Sequence, residues 1–227
     1  MNFQSFGIGS TVGVIGALGT ASFGLVDALK TLPGGGISDA GFAFIKRAVK
    51  VFFGDDKRGT EALQNTLHGN WVNGRELTDQ KAIAKSLIKL RLNNTTADKF
   101  AAATGVDEAI LKSVGGKMSN NTPLSPDETN VLGRFDLALS AILDDAYQHA
   151  DQRYRNWAKV AAMLISITLA CGGGLAISTH EAHAYLGSQD MWVALIAGLL
   201  ATPLAPVSKD LASALQAGVK VAQAVRK

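Results

Sequence analysis

The sequence predicts an all-α integral membrane protein with about three transmembrane helices, a cytoplasmic helical domain, and one long helix running from that domain into the membrane. Three observations carry this. Residues 1–26, 160–179 and 191–208 hold no charged side chain, and about 17–20 apolar residues suffice to cross the hydrocarbon core of a bilayer. The charge missing there is concentrated elsewhere, since 18 of the 22 Lys and Arg residues lie within positions 30–159. Finally, no period-two run is bounded by hairpin signals, so a sheet is not expected. The charged fraction is 18%, against roughly 25% in soluble domains, as expected when long stretches carry none. Net charge is only +3, too mild to imply a nucleic-acid partner. A single cysteine excludes an internal disulfide framework.

The first element, residues 1–30, is read as a glycine-rich span. A signal peptide would have a basic n-region, and residues 1–6 contain none. Gly9, Gly13, Gly16 and Gly19 are spaced by four, three and three, and Ala17–Ala21 and Thr20–Gly24 add further small pairs. In lipid, helices associate by close backbone approach, so these glycines are assigned as a helix-association face. That face has two possible partners: a second copy, or Gly172 to Gly174 of the same chain. The span ends near Asp27 and Lys30, followed by the break Thr31-Leu32-Pro33-Gly34-Gly35-Gly36.

Residues 31–56 form a linker and an amphipathic helix over 38–54, with Ser38 as cap and Gly54 as stop. Phe42, Ile45, Val49, Phe52 and Phe53 share one face, and Lys46, Arg47 and Lys50 lie away from it. Such a helix suits the headgroup layer, with the three basic residues as lipid-headgroup contacts. It also suits an ordinary surface helix over a core. Residues 57–124 then read as a helical domain, with helices at 58–68, 78–92, 96–104 and 107–115 and with Thr78 and Thr96 as caps.

Residues 125–179 read as one helix continuing into the second span, about 80 Å long at 1.5 Å per residue. Ser125-Pro126-Asp127-Glu128 starts it with a Ser cap, a proline at the first position and a capping-box Glu. Residues 180–190 are an outer hairpin loop, and 191–208 the third span, which Pro203 and Pro206 should kink or stop. Residues 209–227 are read as an amphipathic C-terminal helix that packs on the long helix or lies on anionic lipid.

Within the helical domain, residues 96–114 place Ala101, Gly105 and Leu111 at small, turn and apolar positions. This segment resembles the helix-turn-helix core of phage-repressor-type proteins, and the resemblance implies a helix–turn–helix shape. Asp107 and Glu108 stand where phosphate contact wants Arg or Lys, so nucleic acid is not expected as a partner.

Chemistry is sparse. His180, Glu181 and His183, with Asp190 nearby, are the one group that resembles metal ligands. Their spacing does not place both imidazoles on one helix face, as a zinc-binding pair at i and i+4 would be, so no metal, cofactor or catalytic residue is assigned. Gly34-Gly35-Gly36 lacks the Lys-Ser/Thr of a phosphate loop. The span interiors carry no ionisable group of the kind that proton relays use. The expected function is therefore non-enzymatic: a homo-oligomer in the lipid bilayer of the inner (plasma) membrane, acting as a ring, pore or scaffold. Two alternatives remain, an anchored adaptor whose domain binds a soluble cytoplasmic protein, and a membrane-permeabilising protein of a phage or defence system. The Lys/Arg asymmetry predicts an outer N-terminus and a cytoplasmic main domain.

Overall fold

The computed structural model describes residues 8–29, 36–53, 57–178 and 182–225, and within these range bounds the side chains of 8–10, 57–58, 182 and 208–225 are left aside. Among the described residues the chain is helical and has no strand. The helices are α1 (Ile8–Leu29), α2 (Gly36–Phe53), α3 (Lys57–Val72), α4 (Leu77–Lys89), α5 (Ala97–Thr104), α6 (Glu108–Ser119), α7 (Pro126–Ile177), α8 (Ala182–Leu186) and α9 (Gln189–Val225). Three of them are long and apolar enough to cross a membrane, through α1, the later part of α7, and the first half of α9. These helices indicate membrane association.

The chain divides into two compact units, one comprising Pro33–Tyr154 and the other comprising Met1–Leu32 with Arg155–Lys227. The first contains a conventional core. Phe42, Ile45, Val49, Phe52 and Phe53 of α2 are buried there with Leu67, Ile88, Phe100, Leu111, Phe135, Leu139 and Tyr147. The apolar face of α2 therefore covers a protein core. The alternative, insertion of that face into the headgroup layer, would require the same five side chains to leave it. Aromatic rings tie three helices together: Phe52 meets Phe100 edge-on at 5.2 Å, and Phe100 stacks on Phe135 at 6.0 Å.

Helix starts differ in how locally they are determined. At α7 the capping box forms in both directions: the Ser125 N–H donates to Glu128 Oε2 at 2.7 Å, and the Glu128 N–H donates to Ser125 Oγ at 3.3 Å. The expected caps elsewhere do other work. Thr78 lies inside α4, whose cap position is Glu76. Thr96 does stand at the cap position of α5, but its hydroxyl donates back to the Arg91 carbonyl at 2.6 Å instead of accepting from the first turn. Ser38 lies inside α2, and its carbonyl accepts from Trp71 Nε1 at 2.9 Å. Gly54 and the 30–35 break lie outside the described residues.

The helix–turn–helix shape is present in α5 and α6. Gly105 adopts φ 71° between them, a left-handed conformation that glycine reaches without a Cβ penalty, and Asp107 caps α6 by accepting from the Ile110 N–H at 2.8 Å. The helix is held from its far side as well, because Ser113 and Lys117 both donate to Glu128 of α7, at 2.7 and 2.8 Å.

Those contacts give a pH prediction. Donation from Lys117, then from the Ser125 N–H and from Ser113, pulls the Glu128 carboxyl from 4.5 down to about 2. A carboxyl depressed in the folded state contributes stability above its unfolded value, and that contribution is lost as pH falls through the folded value. Denaturation midpoints should therefore fall between about pH 4.5 and pH 2. Glu128→Gln should start lower at neutral pH and show a shallower acid limb. Equal slopes for the two proteins would show that the capping network does not stabilise the fold.

Of the two outcomes expected for the third span, a kink or a stop, the stop does not occur. Pro203 and Pro206 do not end it, since α9 is one helix through Val225. Each proline removes an N–H and leaves the carbonyl four residues earlier without its helical donor, here those of Leu199 and Thr202. Membrane helices tolerate this where neighbouring helices support the backbone. Both prolines lie on the exposed side of α9, and Ala201 and Ala205 are buried on the side packed against α1. The stretch expected as a bare hairpin loop contains the short helix α8.

Candidate functional site

The features that bear on function are helix faces. In the membrane unit, α9 is the shared helix, with one small-residue face toward α1 and another toward α7. A Cβ built at Gly19 would stand 2.0 Å from the Ala201 carbonyl oxygen and 3.0 Å from Ala205 Cβ, so the backbones touch where glycine faces the Ala201–Ala205 pair. Gly16, Ser22 and Val26 are buried on the same side of α1. Toward α7, a Cβ at Gly198 would stand 2.6 Å from Ile167 Cα. Ser166, fully buried, donates to the Gly198 carbonyl at 3.0 Å and to its own helix at Ala162. That cross-helix bond ties α7 to α9 where glycine lets the two backbones approach.

The four glycines of the expected association face are thus divided. Gly16 and Gly19 are buried, and Gly19 lies on α9. Gly13 is half-buried, with nothing within 4 Å of a Cβ built there. Gly9 is in α1, but its packing lies outside what is described. Gly24 also has open space, and Ala17 and Thr20 are exposed. At 3.6 residues per turn, Gly13, Ala17, Thr20 and Gly24 form a second stripe roughly 140° round the helix from the packed one. The Thr20 hydroxyl donates to the Gly16 carbonyl at 3.0 Å, so this stripe presents no unpaired hydroxyl. A Cβ built at Gly172 or Gly173 would meet nothing within 4 Å, while Gly174 packs under the Tyr185 phenol.

Compared with known proteins, the chain stands apart. No family model, curated protein or solved structure matches it.

In the packed unit, Lys46, Arg47 and Lys50 are all exposed. They point away from Ile45 and Val49, so any headgroup contact they make is by charge, without the apolar face of α2. The three do not form one cluster. Lys46 lines a cleft between α2 and α3, and Arg47 lines a groove between α2 and α7. In the cleft, His68 Nε2 lies 2.7 Å from Asp39 Oδ1, and the His68 ring meets Phe42 edge-on at 4.8 Å. The groove is flanked by Phe44 stacked on His149 at 5.7 Å. Neither pair left a sequence signal, because 29 residues separate Asp39 from His68 and helical spacing reports only near neighbours.

His180 and Glu181 lie outside the described residues. Among the described residues no three His, Cys, Asp or Glu side chains are grouped as a metal site. The small-residue pairs on α7 and α9 were also missed by sequence reasoning. Their signal was present as Ala162–Ser166, Gly198–Thr202 and Ala201–Ala205, each at i and i+4.

Proposed function

We propose that this protein is a non-enzymatic, homo-oligomeric integral membrane protein whose work is assembly, as a ring, pore or scaffold in the inner (plasma) membrane. The observation that carries the reading is the open stripe Gly13–Ala17–Thr20–Gly24. A helix that has already used Gly16 and Gly19 on α9 presents a second face of small residues to its surroundings. Leu or Ile would fill the lipid-facing surface equally well for solubility. Small side chains instead favour close approach of another helix backbone, gaining van der Waals contact that lipid tails do not match. The basic residues 30–159, contrasted with a second interspan segment free of Lys and Arg, support a cytoplasmic packed unit with the start of α1 outside.

The test is the oligomer size of the full chain in detergent, by native mass spectrometry. Gly13→Leu and Gly24→Leu have room within the chain, so each should leave the thermal midpoint unchanged. Each should weaken self-association about tenfold, equivalent to roughly 1.4 kcal/mol. A monomeric parent protein, or an oligomer indifferent to both substitutions, would remove the assembly reading.

A further inference from the structure

The groove between α2 and α7 is built for contact. Its volume is about 560 Å³, and Phe44, Arg47 and Ala48 on one wall face Ala141, Asp145 and His149 on the other. The alanines keep the floor low, so another helix is able to approach the backbone. Apolar side chains continue the groove along both helices, with Val51 47% exposed on α2 and Leu137 72% exposed on α7. The positions 44, 48 and 51 follow one helical face, as do 137, 141 and 145.

The charges identify the occupant. Arg47 stands on one wall, and among the described residues it makes no ion pair. Asp145 stands on the other, with only His149 beside it at 3.5 Å. An anionic lipid surface would be attracted by Arg47 and repelled by Asp145. A second copy of the same face, turned about a two-fold axis, brings Arg47 over Asp145 twice with one sequence, as isologous contacts require. We infer that the α2–α7 groove is an isologous contact between two copies of this chain, with Arg47 of each paired to Asp145 of the other. The inference rests on the assembly reading above. Copies already joined through α1 hold their packed units at high effective concentration, so a modest groove contact is sufficient to form.

The experiment uses the full chain in detergent, with Cys171→Ser and Ala141→Cys, and a short bis-maleimide crosslinker. The proposal expects a dimeric crosslink in the parent. Arg47→Glu alone and Asp145→Arg alone each place like charges across the contact and should lower crosslinking about tenfold. The double variant Arg47→Glu/Asp145→Arg should restore it. Far-UV circular dichroism melts of all four proteins separate loss of contact from loss of fold, and folded single variants that still crosslink overturn the proposal. So does a folded double variant that fails to recover. If single reversals instead change binding to phosphatidylglycerol vesicles while crosslinking stays constant, the face belongs to lipid and the inference is wrong. Native mass spectrometry keeps the two proposals apart. A monomeric parent sinks the assembly reading, whereas an intact oligomer without the crosslink sinks only the groove.

Discussion

Gly19→Leu is expected to unseat α1 from α9 and to leave the membrane unit poorly folded. The first atom added, Cβ, would already stand 2.0 Å from the Ala201 carbonyl oxygen and 2.6 Å from its carbon. Those are backbone atoms of a helix, which cannot swing aside as a long side chain does, so the two helices must separate. Overpacking usually costs about 1–3 kcal/mol and occasionally more. Here it also forfeits burial of Gly16, Ser22 and Val26, so a loss of about 3 kcal/mol or above is expected. The measurement is the thermal midpoint and the recovered yield of folded protein in detergent, beside Gly13→Leu, whose site is open. Equal midpoints for the two variants would mean that α1 does not pack on α9 through Gly19.

The second large effect belongs to the packed unit. Phe135 is fully buried and stacks on Phe100, which in turn meets Phe52. Phe135→Ala removes the α7 member of that trio and opens a cavity beside α5, at a cost of about 3–5 kcal/mol. Hydrogen exchange of the full chain reads it directly, because amides of α2 and α5 should lose protection together with α7. Leu90→Ala, at a side chain that is 82% exposed, should stay within about 0.5 kcal/mol of the parent. A Phe135→Ala protein with parental protection would show that the aromatic trio is not part of the core.

What was legible in the sequence was local. The Ser125–Glu128 box needs only residues within four positions, and the uncharged stretches need only composition, so the start of α7 and the three apolar helices could be read directly. Gly105 and Ala101 likewise announced a turn whose geometry is set within a few residues. Facing was not legible. A helical stripe states that one side is small or apolar without naming what lies against it. Thus the aromatic face of α2 suited lipid or core equally, until Phe100 and Phe135 supplied the core. In α1, 3.6 residues per turn already puts Gly13 and Gly19 on different sides of the helix, and the position of Ala201 identifies the packed side. Pro203 and Pro206 allow a kink or a stop on local grounds, and the helix continues through both.

The pairing of α1 with α9 has a consequence for biogenesis. α1 packs on a helix that begins roughly 160 residues later in the chain. At about 5–20 residues per second, α1 is complete for about 9–34 s before Ala201 is made. During that interval both its small-residue faces are uncovered, the one destined for α9 as well as the open one. Until α9 is made, the side of α1 that carries Gly16, Gly19, Ser22 and Val26 lacks the helix it packs on.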